Sequence, residues 1–387
     1  MGADLSPQDL KLLVSSAFPR REGDHALAIL VDVPDDRVPD NDRWRERRRI
    51  ARQWLESLHV VARDLGLDTV TLVYYPNVHS NNADLPSSGY TWVGDPQKLT
   101  ASALVAQGHA VPFSEVLGSH QILLAPTEFS TTAPLKLQAK TYGYRAATMP
   151  GFAASMLPAL RLDFGEIDRQ VQALKRRLDR ATGADVEFAV GGAVHRLHLD
   201  LRYRTAHASG GLFPEPAMAG NLPSGEAYIV PYEGERGEPS RTAGLLPVQL
   251  GSEVVLYRIE RNKAVAVESR GPKSAEEAEK IRTEPAYANI AEAGFGVLSA
   301  MGIRPIGEML LDEKLGFHIA FGRSDHFGGA IGPKDFSSPD KVIHIDRIYI
   351  PETQPQVQVR SIDVLDADGS RERLMENGSY TGRATTA

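Results

Sequence analysis

HALAILVDV at residues 25–33 and TVTLVYY at residues 69–75 decide how the first half of the chain is read. Both are apolar runs of strand length, the second rich in β-branched and aromatic residues. Between them, Trp44, Ala51, Trp54, Leu55, Leu58, Val61, Ala62 and Leu65 recur at helical spacing and predict one buried stripe over residues 43–65. The arginines of RWRERRRIAR, residues 43–52, fall on the other side and read as a solvated helix face. Working outward, the polar stretch 77–95 predicts a surface loop and residues 97–107 a helix. QILLA at 121–125 is a third strand, 136–142 a helix and 145–149 a fourth strand. Strands alternating with helices imply a parallel sheet covered on both faces.

A long helix is predicted from residue 163 to 181, with Asp163 and Glu166 at capping-box spacing and Thr182-Gly183 as its stop. Beyond it the texture changes. Short strands are predicted at 185–190, 194–203, 227–230, 252–258 and 264–268, with Gly191-Gly192 as a hairpin turn between the first two. Helices follow at 274–281 and 286–293, then strands at 317–321, 342–349 and 356–364, then a polar tail, 376–387, expected to be frayed. The expected architecture is an N-terminal parallel-sheet α/β domain over residues 1–160 followed by a C-terminal α+β metal-binding domain over 161–387.

Composition narrows the chemistry. The chain has 387 residues, too many for one small core, and no cysteine, which excludes disulfides, thiolate metal sites and cysteine nucleophiles. Any metal must be held by His, Asp, Glu or backbone oxygen, which favours zinc, cobalt, manganese, magnesium or non-haem iron. The formal charge of −7 argues against a nucleic-acid partner. No apolar run is long enough to span a bilayer, and MGADLSPQDLKLL at the N-terminus lacks a basic segment followed by an apolar core. A cytoplasmic location without a membrane partner is therefore expected. MGADLS also fits the loose myristoylation pattern through Gly2 and Ser6, which we take as a chance match.

The strongest local signal is HID within KVIHIDRIYI, residues 341–350. In a strand His344 and Asp346 point the same way while Ile345 points into the opposite layer. A buried His beside a buried carboxylate needs a partner or a metal. Alone, the pair reads equally well as a structural His–Asp contact. His318 lies in FHIAFG, another apolar strand; Glu226 ends NLPSGE at the mouth of a strand; Glu292, in NIAEAGFG, is expected to end a helical segment before a Gly-x-Gly turn. Each has an ordinary reading by itself, a satisfied core histidine or a solvated glutamate. Together they make two imidazoles and three carboxylates, a set suited to two neighbouring divalent ions with one carboxylate bridging. VHRLHLD, residues 194–200, looks similar on paper, but in a strand His195 faces away from His198 and Asp200, and all three are read as sheet surface. No GxSxG, GxGxxG or Walker A motif occurs.

NLPSGE, NIAEAGFG, LLDEKLGFHIAFG and HIDRIYI, in this order, resemble the thermophilic aminopeptidase family of metallopeptidases, and TYGYRAATMPGF at 141–152 is similar to that family's inter-domain segment. The resemblance covers residues 141–350. It implies that Glu226, Glu292, His318, His344 and Asp346 are metal ligands, with Glu292 bridging two ions, zinc, cobalt or manganese, and with Ala291 where the family has glycine. It also implies N-terminal cleavage of peptides and a homodimer. The family carries a tyrosine a few residues after the motif histidine; here the stretch reads GRSDHFGG, so His326 and Asp325 are the candidates for its role. More distantly, the chain resembles 2,5-dihydroxypyridine dioxygenase, which would make His318, His344 and Asp346 the triad of a single Fe(II).

Three functions follow: a metal-dependent hydrolase acting on a peptide or small-molecule amide with Glu292, His326 and Asp325 as catalytic candidates, an Fe(II) dioxygenase opening a hydroxylated aromatic or pyridine ring, and a non-enzymatic metal-binding relative.

Overall fold

In a computed structural model of the chain, residues 4–382 are described. They divide into two compact units, one running to Ile167 and including Gly211–Ser224, the other comprising Asp168–Gly210 and the chain from Gly225 onward. The strands are β1 (Ala26–Val33), β2 (Thr69–Pro76), β3 (Ser88–Thr91), β4 (His109–Pro112), β5 (Ile122–Thr127), β6 (Arg145–Pro150), β7 (Ala181–Val190), β8 (Ala193–Asp200), β9 (His207–Ser209) and β10 (Ala219–Asn221). They continue with β11 (Glu226–Ile229), β12 (Ala243–Leu250), β13 (Glu253–Glu260), β14 (Lys263–Val267), β15 (Ile290–Gly296), β16 (Phe317–Gly322), β17 (His344–Ile348), β18 (Gln358–Asp366), β19 (Arg371–Glu376) and β20 (Ser379–Tyr380).

The first unit is built on a seven-stranded sheet in the order β10-β6-β5-β1-β2-β3-β4. The pairs of β1 with β2 and β5, of β5 with β6 and of β6 with β10 are parallel, as the strand–helix alternation predicts. Central β1 is buried along its whole length, which its unbroken apolar run requires. Residues 211–224, placed by the sequence reading in the C-terminal half, join this unit through β10. Three features differ from expectation. Arg47 and Arg48 are buried rather than solvated: Arg47 donates to the Phe152 carbonyl at 2.8 Å and to Glu128 at 2.6 Å, Arg48 to Asp40 at 2.8 Å and the Pro96 carbonyl at 2.7 Å. A guanidinium can be buried when carboxylates and carbonyls take its donors. The stretch 77–95 contains β3, and residues 109–119 form β4 and the helix Phe113–Ser119, which the sequence reading passed over.

The second unit holds two antiparallel sheets, one of eight strands in the order β14-β13-β12-β8-β7-β18-β19-β20 and one of five in the order β17-β16-β15-β11-β9. Alternation along β16 divides the work. Phe317 and Phe321 meet Tyr349, Tyr257 and Tyr287 in the core, while His318 and Ala320 face the other way. The helix Phe164–Arg180 runs directly into β7, so Thr182 and Gly183 lie in a strand and do not stop it. Asp163 does cap its start, accepting from the Gly165 and Glu166 amides at 2.8 and 3.2 Å. Residues 286–293 are not helical: the chain from Ile290 is β15, buried throughout. Asp200 is buried and accepts from Arg202 at 2.8 Å, and His198 pairs with Asp185 at 2.7 Å, so the first is an anchor and not sheet surface. The tail is ordered as far as described, with Tyr380 donating to the Gly296 carbonyl at 2.9 Å; residues 383–387, like Gly2, lie outside the described residues. Among the described residues no helix is long and apolar enough to cross a membrane.

Candidate metal centre

The five-stranded sheet brings together the five residues singled out from the sequence. Glu226 opens β11, Glu292 lies in β15, His318 in β16, and His344 and Asp346 in β17. Register puts them on one face. Glu292, Ala320 and Asp346 lie abreast, as do Tyr228, Gly294, His318 and Ile348; Glu226 pairs with Gly296 and His344 with Gly322. Each candidate ligand thus has glycine or alanine as a cross-strand neighbour. Opposite His318 the small neighbour is required: a Cβ on Gly294 would come within 1.9 Å of His318 Nε2.

Two groups of ligand atoms converge, Glu226–Glu292–His318 and Glu292–His344–Asp346, with Glu292 common to both. Its oxygens are divided, Oε1 lying 3.3 Å from His318 Nε2 and Oε2 3.2 Å from His344 Nε2. The remaining separations are 3.5 Å from His318 Nε2 to Glu226 Oε2 and 3.6 Å from His344 Nε2 to Asp346 Oδ1. Ligand atoms about 2.0–2.1 Å from one tetrahedral ion lie roughly 3.3–3.4 Å apart, so these separations are compatible with a bound divalent ion. His344 Nδ1 donates to the Arg323 carbonyl at 2.8 Å and His318 Nδ1 faces the Gly316 carbonyl at 3.3 Å, which leaves Nε2 of each ring for the centre. Glu226 Oε2 is buried without a hydrogen-bond partner. A buried carboxylate oxygen whose one charged neighbour is a histidine nitrogen 3.5 Å away is suited to accept a cation.

Electrostatics agree. Burial disfavours charge on His318 and His344, but the surrounding carboxylates outweigh it and raise them to about 10 and about 11. Burial would raise Glu292, yet hydrogen bonds from the two histidines hold it well below the ordinary carboxylate range. The carboxylates therefore favour positive charge at this cluster, whether carried by imidazole protons or by a cation.

Several neighbours were not singled out from the sequence. Lys314 Nζ, 4% exposed, donates to Glu226 Oε1 at 2.6 Å and to Glu313. Burial lifts Glu313 to about 7 against the pull of Lys314. Both sit in the quoted LLDEKLGFHIAFG motif, so the signal was present. Tyr228, two residues after Glu226, shares its face by strand period alone; His207 stacks on it with ring centroids 5.1 Å apart, and Phe327 meets it at 4.8 Å. His326 stands at the edge of the centre, its ring 5.3 Å from that of His344. Asp325 accepts from Arg323 Nε at 2.5 Å and lies 3.6 Å from His326 Nδ1.

Solved structures similar to the chain over nearly its whole length include two proteins. One is 2,5-dihydroxypyridine dioxygenase from Pseudomonas putida KT2440, with a TM-score of 0.57 at 16% identity, covering 97% of this chain and 96% of that one. The other is wild-type AmpT from Thermus thermophilus, with a TM-score of 0.53 at 16% identity, covering 97% and 98%. No family model matches the chain, and no curated protein sequence matches it significantly. The chain therefore has the fold common to these two proteins, with buried glutamate–histidine groups that could bind metal.

Proposed function

We propose that the chain is a two-metal hydrolase that attacks an amide or peptide carbonyl, with Glu226, Glu292 and His318 holding one ion and Glu292, His344 and Asp346 the other. The observation that carries this reading is the division of Glu292, one oxygen to each histidine. A single-ion triad of His318, His344 and Asp346 is less well supported, because among the described residues the two histidines fall into different ligand groups. Zinc, cobalt or manganese ions so held would supply a polarised carbonyl and an acidified water.

The protein's own groups do the rest. His326, whose protonated form is disfavoured by burial and by His344, presents a neutral imidazole that can donate a hydrogen bond to oxygen as charge develops there. A carboxylate handles the proton: Glu292, common to both ligand groups, or Glu313, which burial lifts to about 7 and which accepts from the same Lys314 ammonium as Glu226. Tyr228, Phe327 and His207 form an aromatic wall on the same face, which favours a substrate with an apolar group next to the reacting carbonyl.

The test is reconstitution of metal-free protein with zinc, cobalt, manganese or, without oxygen, Fe(II). About two ions per chain and release of N-terminal residues from a peptide library support the hydrolase. About one iron per chain and oxygen uptake with hydroxylated pyridines or phenols would replace it with the dioxygenase.

A further inference from the structure

The loop RSDHFGGAIG, residues 323–332, leaves β16 and carries His326 and Phe327 to the metal centre, their rings 5.3 and 5.5 Å from that of His344. Glycines at 328, 329 and 332 would leave such a stretch mobile unless something ties it. The ties converge on Glu233, whose side chain is 5% exposed. Its Oε1 accepts from Ser324 Oγ at 2.6 Å and from Asn289 Nδ2 at 2.7 Å. Its Oε2 accepts from the Ala330 amide, with Arg204 at 3.7 Å as counter-charge. Arg204 also donates to the Gly328 carbonyl at 3.0 Å, and the Ser324 hydroxyl accepts from the Ile331 amide at 3.3 Å. A Cβ on Gly329 would lie 2.2 Å from that hydroxyl, so the turn closes only over glycine.

Asn289 in turn donates to the Gly322 carbonyl at 3.0 Å. One carboxylate therefore joins the start of the strand that carries Glu292, the end of the strand that carries His318, and both limbs of the loop. Its bonds go to none of the five candidate ligands. A buried carboxylate is retained where charge-assisted donors satisfy it, and those donors are left unsatisfied when it goes.

We infer that Glu233 is the positioning residue of this centre, a latch that holds loop 323–332 so that His326 and Phe327 stay beside the metal ligands. The latch itself stands on the bonds above; its effect on turnover rests on the hydrolase reading.

The experiment compares the full chain with E233Q, S324A and S324T. In each, zinc content, global melting, amide exchange, and the ring signal of His326 in histidine-labelled protein, assigned with H326Q, are followed. The expected result for E233Q and S324A is unchanged zinc content, amide exchange of residues 324–332 faster by about tenfold or more with the rest of the sheet still protected, and a displaced or broadened His326 signal. S324T restores both. On a peptide p-nitroanilide, kcat falls about tenfold or more with KM within about twofold. Unchanged loop exchange and an unmoved His326 signal in E233Q overturn the proposal. So does exchange that rises evenly through the whole unit, which would make Glu233 a fold-wide stabiliser. A native protein inactive on the peptide sinks the hydrolase reading alone, since the exchange and His326 signals still decide for or against the latch.

Discussion

Gly294 lies directly across the β15–β16 pair from His318, and a methyl group on it would occupy the space of the imidazole Nε2. Replacing Gly294 with alanine is expected to swing His318 out of the centre while the sheet persists. The expected outcome is a fall in metal affinity of about tenfold to a hundredfold, the usual range for disturbing a ligand's support. Isothermal titration of metal-free G294A with zinc checks it.

Because Glu292 serves both ligand groups, its loss differs in kind from loss of the outer ligands. E226Q and D346N should each lower bound metal from about two ions per chain to about one. E292Q should retain almost none after dialysis. Elemental analysis of the three variants decides; a single retained ion in E292Q would mean that the carboxylate does not bridge.

Metal uptake should release protons and strengthen with pH. His318 and His344 are raised to about 10 and about 11 in the metal-free fold, so at neutral pH each is protonated, and a ligand imidazole must be neutral. Raising the pH removes the competing protons, and apparent zinc affinity should climb up to about tenfold per pH unit for each proton displaced. Titrations in buffers of different ionisation enthalpy count those protons. The same shifts set the stability of the metal-free protein. Groups whose folded value lies above the unfolded one stabilise the fold fully below about 6.5, and that contribution is lost as pH rises towards 10 and 11.

Lys314 bonds both Glu226 and Glu313, and its removal would take from each the ammonium it accepts from, leaving buried Glu226 with only His318 as counter-charge. Breaking a buried pair from one side costs about 3–5 kcal/mol, so metal-free K314M should melt several degrees lower than the parent. Zinc should recover part of the loss by taking over the charge of the ammonium, which thermal melts with and without zinc would show.

How much of this was legible in the sequence depends on how far each feature reaches along the chain. β1 and β2 were readable because a strand buried on both faces is an unbroken apolar run. The ligands were readable because each sits in a short stretch, an apolar strand or a Pro/Gly turn, where an isolated His or carboxylate is out of place. β15 was misread as helix because IAEAGFG mixes alanine and glutamate, good helix formers, and its strand character comes from pairing with β11 and β16. Arg47 and Arg48 read as surface because their acceptors, Glu128, Asp40 and two carbonyls, lie elsewhere in the chain. Glu233 and His207 gave no local signal: the bonds of the first reach Asn289, Ser324 and Ala330, and the second meets Tyr228 only through the β9–β11 register.

The small-residue checkerboard under the ligands has a consequence for descent. The metal frame is written in strand register, which a single-residue slip would turn inside out, so it tolerates little drift. His326 and Phe327, which the proposed function sets against a substrate, hang on a loop secured from outside that frame. Selection can therefore rewrite the reaction by editing the loop while inheriting the frame intact, and a lineage built this way can change its chemistry without rebuilding its metal site.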